Sequence, residues 1–586
     1  MFLILATLFS CPSFAADQKI VVTATRSAES ADDVPFSVDT VSGSRWEASG
    51  EDAITALSTI PGVAFTSSGA AGQTKSLFLR GAKAEHTLVL IDGIPVNDPL
   101  SPSRAFDFGQ VPVSEIDHIE VLKGPQSVLY GSDAMGGVVQ IFTKKTGTRA
   151  RLEGGSYRTG DANLSYQGFR AGYFETRGFS SADANEGNVE PDGYRAWNLG
   201  GSKEFSLGDR FLLRLTTQYQ DARADTDKNG GRGGDSYNTY SRHTQFLARE
   251  ENVVLLPADG EVSLAGSYAS HDREDNTNGG DYYKSDLWKV EAVARKPVGA
   301  QRFTLGAEYG DEGGRSSQTT GGRRDFREGA FYLQDQARLA ERLEAVVGAR
   351  SDLHSEAGTA WTYRAGLGWW FLPDTLRAKG SVATGIKAPS LYQTYSSFGS
   401  TNLASERSVG TELGLELKRG SWRSELTWFT NRFRDLIDFS FTANRFFNLK
   451  NSRTHGVEWS LEKELGIFRA GNALTFLRAY DTDTGLLLLR RPRWSDTLTL
   501  GFSRETKFGL EANLRYVGER EDTHPILLTR QPMPAFLTVG VNGFYEIGQG
   551  VRLTARGVNL LDRRYQETSG YGVPGLSGYA GLEAEL

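Results

Sequence analysis

Residues 510–516 read Leu510-Glu511-Ala512-Asn513-Leu514-Arg515-Tyr516. Apolar and polar side chains alternate without a break. Successive side chains of an extended strand point to opposite faces, so this stretch is a strand with one apolar and one polar face. The same period recurs at Phe211, Leu213, Leu215, Thr217 and Tyr219, and at Phe303, Leu305, Ala307 and Tyr309. Leu413, Leu415 and Leu417 alternate with Glu412, Glu416 and Lys418; Val457, Trp459 and Leu461 alternate with Glu458, Ser460 and Glu462. From residue 150 onward no helical period displaces it. Two architectures use many such strands: soluble β-sandwiches or a propeller, and a transmembrane barrel with its apolar face to lipid and its polar face to a lumen.

Composition narrows the choice. The 586 residues are 39% hydrophobic and 23% charged, with one cysteine and a formal charge of −7; mean hydropathy is −0.39. A polytopic helical protein needs apolar runs of about 18 or more residues, and the only long apolar stretch is at the N-terminus. A single cysteine cannot pair within the chain, and an acidic balance offers no basic face to nucleic acid. No nucleophile, base and orienter are placed by a motif, and the seven histidines show no metal-ligand spacing, so the chain does not read as an enzyme.

Three features favour the barrel. The polar face is heavily charged, as a wet lumen requires. Aromatics stand near strand ends, at Tyr219, Tyr309, Trp428-Phe429 and Tyr516, where interface girdles are expected. Long polar connections, 221–240 and 310–327, alternate with short turns. Residues 1–15 (MFLILATLFSCPSFA) form an apolar segment ending in Ser13-Phe14-Ala15, the pattern of a cleaved export signal. The last residues, 578–586, alternate again and read as a closing strand.

Residues 36–143 are different. Ser49 and Asp52 look like caps for a helix through Ala53, Ile54, Leu57 and Ile60 that Pro61-Gly62 stops. Short apolar strands follow, such as Leu88–Ile91 before the turn Asp92-Gly93. This part reads as a small α+β domain. In the second part, residues 225–235 (DTDKNGGRGGD) begin like an EF-hand with Asp225, Asp227, Asn229 and Gly230, but its twelfth position is Ser236 rather than Glu. That leaves solvated acidic loops or another kind of calcium site.

Several strings occur in one order: Ile20-Val21-Val22-Thr23-Ala24, Leu79-Arg80-Gly81, Leu88–Gly93 (LVLIDG), Ile119–Pro125 (IEVLKGP) and Leu129–Val138 (LYGSDAMGGV). In that order before a barrel-like region, they resemble the TonB-dependent outer-membrane receptors over nearly the whole chain. Within these, Tyr130–Val139, Lys387-Ala388-Pro389 with Asn402-Leu403, Asp435–Asp438 and Leu488–Arg491 are most similar to cobalamin (vitamin B12) receptors. The resemblance implies an all-β transmembrane barrel of 22 antiparallel strands with an N-terminal α+β plug domain inside the lumen. It divides the chain into a signal peptide (1–15), TonB box and linker (16–35), plug (36–145) and barrel (146–586).

The implied function is import of cobalamin or a related corrinoid across the bacterial outer membrane, by a monomer that docks TonB, itself energised by ExbB and ExbD. The alternatives are a ferric siderophore or haem receptor, or a soluble β adhesin. Ile20, Val21, Val22, Thr23 and Ala24 form the TonB box; an extended β-branched segment can add to a partner's sheet edge. Arg80 and Lys123 match plug cations that pair with barrel glutamates, here Glu412 and Glu458, with Lys123 standing where arginine is more frequent. Calcium is implied at Glu190, Asp192, Asp225, Asp227 and Asp235, with a family tyrosine ligand replaced by Thr226. Cargo contacts are expected at two plug apices, from Gly72, Gln73 and Thr74 and from Asn97, Ser101, Ser103 and Arg104.

Overall fold

The structure, a computed structural model, describes residues 20–585 apart from positions 22, 27–28, 32–33, 44–52, 70, 112–115, 181–190, 228–237, 277–279, 505–506 and 549. The signal segment, the capping pair Ser49 and Asp52 and the terminal Leu586 lie outside the described residues. Among the described residues, 22 antiparallel strands close into a barrel, from Thr148–Gly155 to Ser577–Glu585. The closing pair sets Leu152 against Leu582 and Arg151 against Glu583, so the C-terminal alternation seals the barrel and leaves it no free edge.

Inside and outside follow the period of two. Leu413, Leu415 and Leu417 are exposed on the outer face, while Glu412 and Glu416 are buried on the inner one. Tyr219, Tyr309, Trp428 and Tyr516 stand outward as expected. Phe429 does not: its register opposite Glu412 turns it into the lumen, where it is fully buried. Strands such as Trp422–Ser440 and Arg445–Leu465 have 19 and 21 residues, about twice what a bilayer crossing needs. The hairpins therefore rise beyond the membrane, and the long connections shrink to 226–239 and 317–323.

The N-terminal part fills the lumen. Its sheet runs Val38–Ser42, Ile116–Lys123, Gly137–Thr143, Thr87–Ile91, Ile94–Pro95, with Thr87–Ile91 parallel to Gly137–Thr143. Ile54, Leu57, Ile60, Leu79, Val89, Ile119, Val121, Val139 and Ile141 form its core. The expected helix is present over Ala53–Thr59, but as a 3-10 helix. Ile54 and Thr55, both β-branched, follow Ala53 in its first turn, and the Ser58 and Thr59 hydroxyls donate to the carbonyls of Thr55 and Ala56 at 2.6 and 2.7 Å, which favours the tighter turn.

On the sheet's flank, His118 stacks on Phe142 with ring centroids 4.4 Å apart. Its Nδ1 lies 2.6 Å from Asp117 and its Nε2 3.4 Å from Glu120. Partial burial works against its charge, but the two carboxylates outweigh it, and the pKa is pushed up to about 9. A raised folded-state pKa means that the imidazolium stabilises the plug fully below its unfolded value of about 6.5 and stops doing so as pH rises through about 9. Plug release by urea, followed from about pH 6 to pH 10, is expected to become easier over that window. His118→Gln should flatten the dependence; an unchanged profile would remove His118 from the account.

Candidate functional site

The N-terminal segment is tied down against plug and barrel. Ile20–Val21 pairs antiparallel with Glu29–Ser30. The Thr23 N–H donates to Glu120 Oε2 at 2.7 Å, and the Thr23 carbonyl accepts from the Tyr130 hydroxyl at 2.7 Å. Arg364 on the barrel wall donates to the Ala24 carbonyl at 3.1 Å. Thr23 and Ala24 are completely buried; Val22 lies outside the described residues. Arg26 follows in a left-handed conformation, φ 58°. Its guanidinium pairs with Glu291 at 3.0 Å and Glu308 at 2.9 Å, donates to the Tyr332 hydroxyl at 3.1 Å, and stands over the rings of Tyr130 and Tyr332. Burial opposes its charge, but Tyr332 and the two carboxylates outweigh it and hold its pKa well above the ordinary value. Sequence reasoning passed over Arg26; its only signal was a lone basic residue just after the β-branched run.

The four residues expected to join plug and barrel come together. Arg80 places Nε and Nη2 on Glu458 at 2.8 and 3.0 Å and Nη1 on Glu412 at 2.7 Å. This two-pronged contact is what guanidinium geometry allows. Lys123 Nζ reaches Glu458 Oε2, Asp39 Oδ2 and the Pro61 carbonyl, each at 3.0 Å. Glu412 also accepts from the Ser37 N–H and the Ser381 hydroxyl, both at 3.1 Å. Arg80 lies over the ring of Phe429 at 4.8 Å, so the inward-facing aromatic meets a cation there. Burial opposes the charges of Arg80 and Lys123, yet for Arg80 the Glu458 and Glu412 carboxylates, and for Lys123 Asp39 and Glu458, hold both pKa values above their ordinary range. Gly62 makes the approach possible: at its φ of 83°, a Cβ would lie 1.9 Å from Glu458 Oε1.

The two apices divide the expected cargo residues. Gly72 packs under Tyr194, whose ring lies 2.1 Å from where a Cβ would stand. Gln73 is buried and donates to the Asp225 carbonyl at 2.6 Å; Thr74 is exposed. In the second apex, Ser101 and Ser103 are half-exposed, whereas Asn97 and Arg104 face inward. Asn97 is a loop staple: its Oδ1 accepts from the Val89 N–H at 2.8 Å, and its Nδ2 donates to the carbonyls of Thr87 and Arg104 at 3.1 and 2.9 Å. Those bonds occupy the side chain within the plug. Arg104 bridges plug Asp133 at 3.0 Å and barrel Glu312 at 2.8 Å. Asp98 adds a second anchor, to Arg273 at 2.7 Å and to the Ser285 hydroxyl at 2.6 Å. A short barrel-loop helix, Leu391–Tyr395, closes over this apex: Leu391 and Phe326 cover Leu100, and the Ser390 hydroxyl donates to the Pro102 carbonyl at 3.3 Å.

Of the expected calcium residues, Glu190 and Asp235 lie outside the described residues. The register between these two strands ends at Tyr194↔Ala224; just beyond it Asp225 Oδ2 accepts the Gly193 N–H at 3.1 Å, and Asp192 and Asp227 are buried nearby in the sequence. Among the described residues, no three His, Cys, Asp or Glu side chains form a group that could hold a metal.

Comparison with known proteins agrees with this architecture. Residues 30–138 match the TonB-dependent receptor plug domain and residues 140–560 the β-barrel of TonB-dependent receptors. The chain therefore belongs to the TonB-dependent receptor family: it is a receptor of the bacterial outer membrane, not an enzyme and not a soluble adhesin. It is 26% identical to the vitamin B12 transporter BtuB of Vibrio vulnificus, covering 93% of this chain and 91% of that protein. Its fold is similar to the siderophore receptor PirA of Acinetobacter baumannii, with a TM-score of 0.79 and 19% identity over 94% of this chain and 98% of that one. The copper transporter OprC is also similar, with a TM-score of 0.76 and 15% identity over 92% of this chain and 95% of that one.

Two outcomes are expected from this geometry. Glu458→Ala leaves Arg80 and Lys123 buried with one fewer counter-charge, at a cost of about 3–5 kcal/mol, read as a lower urea midpoint for plug release; an unchanged midpoint would show that Glu458 does not hold the plug. Arg26→Ala should free the N-terminal segment, so that a single cysteine placed at Thr23 reacts with a maleimide at least about tenfold faster. Equal rates would mean that the segment is held without Arg26.

Proposed function

We propose that this receptor imports cobalamin, or a related corrinoid, with TonB docking on residues 20–24 and drawing on the energy that ExbB and ExbD supply. The observation that carries the cargo assignment is the likeness to the vitamin B12 transporter of Vibrio vulnificus along 93% of the chain. The resemblance to siderophore and copper proteins is a likeness of fold at 19% and 15% identity. The rim supports the same reading. Asp192 and Asp225 end neighbouring strands and Asp227 follows two residues on; carboxylates there, with Glu190 and Asp235 of the same sequence stretches, are the oxygen ligands that calcium prefers. Gln73 of the plug apex bonds to the backbone of that same rim, so ordering the acidic loops would order a cargo-facing apex. Calcium, when bound, would neutralise the clustered carboxylates and stiffen both connections.

In this mechanism the buried Thr23 and Ala24 must leave Glu120, Tyr130 and Arg364 before a partner strand can pair with them. Cargo seated on Thr74, Ser101 and Ser103 presses on loops anchored to the same plug sheet. One feature favours the second reading, a ferric siderophore or haem receptor: the mouth pairs Arg273 with Tyr283 at 4.7 Å and Arg324 with Tyr395 at 4.9 Å, a combination suited to an anionic aromatic cargo.

Titration of the purified receptor with cyanocobalamin, with calcium and with a chelator, tests the proposal. Binding is expected in both conditions and at least about tenfold tighter with calcium, an advantage that Asp225→Asn with Asp227→Asn should abolish. No binding in either condition would remove the corrinoid, and binding of a ferric catecholate instead would install the second reading. Deletion of residues 20–24 should stop uptake while leaving binding intact.

A further inference from the structure

Arg80 reaches Glu458 and Glu412 from an unusual backbone. The Ala82 N–H donates to the Leu79 carbonyl at 2.9 Å, which closes a tight turn with Arg80 and Gly81 at its centre. Their φ values are 49° and 77°, both left-handed, as a primed turn requires. Glycine enters that region freely, but for arginine it is sterically unfavourable. Left to itself Arg80 would return to a negative φ, and its Cβ would swing the guanidinium away from both glutamates. Surrounding contacts therefore hold the turn. The Arg80 N–H donates to the Gly62 carbonyl at 2.7 Å, and a Cβ on Gly81 would stand 3.1 Å from Leu477 and 3.2 Å from Ala479 of the barrel wall.

A third hold comes from outside the plug. Arg491 lies in the connection 482–493, at the same end of the barrel as 226–239 and 317–323. It donates from Nε to the Gly81 carbonyl at 3.3 Å and from Nη2 to the Ala82 carbonyl at 3.0 Å, and its guanidinium lies over the Phe78 ring at 3.9 Å. These carbonyls are neutral acceptors, so this hold is weaker than the ionic one beside it. The connection is tied in turn to a neighbouring hairpin, in which Arg520–Thr523 pairs with Arg530–Met533. Asp522 Oδ1 accepts from Arg490 Nε at 2.8 Å, and the Glu521 carbonyl accepts the Arg490 N–H at 2.6 Å. Arg490 is itself left-handed, φ 63°, and Arg530 donates to the Leu487 carbonyl. The hairpin tip carries Ile526, Leu527 and Leu528, all exposed. One dipeptide, Arg490-Arg491, thus joins an exposed hairpin to the backbone of the lock.

We propose that Arg491 is a positioning residue of the plug lock, and that the hairpin 520–533 sets the Arg80 turn through it. A load or a bound molecule that shifts the hairpin turns Arg490 and draws Arg491 off the two carbonyls. The Arg80 turn then relaxes, and its guanidinium leaves Glu458 and Glu412. The lock is set in this way whatever the cargo, so the corrinoid reading is not needed for it.

Hydrogen exchange of the full-length receptor in detergent, followed at the Arg80 and Ala82 amides, tests it. Arg491→Gln should speed exchange there at least about tenfold, while the Val139 and Ile141 amides of the plug sheet stay as protected as before. Arg490→Gln, at a residue whose hydrogen bonds run to the hairpin and not to the plug, should speed it at least about threefold. Arg491→Lys should behave like Arg491→Gln, because an ammonium lacks the fork that spans two carbonyls. The urea midpoint for plug release supplies the coupling: Arg491→Gln should lower it, but at most about half as far when Glu458 is already alanine. Heat-modifiable gel mobility verifies that every barrel is folded. Unchanged exchange at Arg80 and Ala82 in either Arg491→Gln or Arg490→Gln, protection lost across the whole plug sheet, full rescue by Arg491→Lys, or additive effects of Arg491→Gln and Glu458→Ala would each overturn the proposal.

Discussion

A closed barrel of this girth leaves a lumen that water would fill, and the plug that occupies it must be held firmly yet be releasable. The contact between Arg80, Lys123, Glu412 and Glu458 answers that demand. A buried charge set stabilises little in net terms, because burial takes back most of what the attraction gives, but removing one member strands the others at a large cost. The same set can be rehydrated as a whole when water enters beside it. An apolar interface of equal area would gain nothing from water and would not release. The plug keeps its own apolar core, around Ile54, Leu57 and Val139, and meets the wall through small apolar contacts, such as Leu100 on Phe326 and Leu391, as well as through charged ones. Arg170, Arg350 and Arg377 are among its largest fully buried side chains.

The lock and the N-terminal segment share one strand. Ile116–Lys123 carries Glu120, which holds the Thr23 N–H, and Lys123, which holds Glu458. A force applied at residues 20–24 thus reaches first a hydrogen bond to that strand and then, three residues along it, the ionic contact with the barrel. Arg26, two residues beyond Ala24, braces the segment on the barrel wall through Glu291 and Glu308. Its left-handed backbone turns the chain back toward the sheet, and that turn is lost if the segment is drawn straight. The order in which contacts must yield is therefore built into the connectivity.

Much of this was legible in the sequence, and the reasons for the rest are physical. The period of two declares strands with a wet and a dry face, because burial on one face repeats at every second residue. It cannot say which face Phe429 takes beside Trp428, since both are apolar; the register with Glu412 decides it. The lock was legible through motifs around Arg80 and Lys123. Asn97 and Arg104, expected as cargo contacts, are engaged within the protein, which the sequence does not show because a polar residue in a loop looks the same whether it faces solvent or staples the loop from within. The helix at Ala53–Thr59 was legible in its apolar spacing, but its hydroxyl bonds, which tighten it, depend on rotamers.

The division of labour at the apices explains why fold likeness does not fix cargo. The second apex hangs from Asp98–Arg273, Arg104–Glu312 and the Asn97 staple, which tie it to the wall and to the plug sheet. Burial disfavours the Asp98 charge, but Arg273 outweighs it and keeps the carboxylate ionised, so this anchor does not depend on ordinary changes of pH. The surfaces offered outward are Thr74, Ser101, Pro102 and Ser103, short side chains with few internal partners. Replacing them leaves the anchors, the lock and the N-terminal brace untouched. A family built this way can exchange cargo by changing a handful of loop residues on an unchanged transmission, so barrels of nearly equal similarity to this one serve siderophores and copper alike. On the proposed function, cargo identity resides in the apices and the acidic rim, and the bond from Gln73 to the Asp225 carbonyl joins those two surfaces.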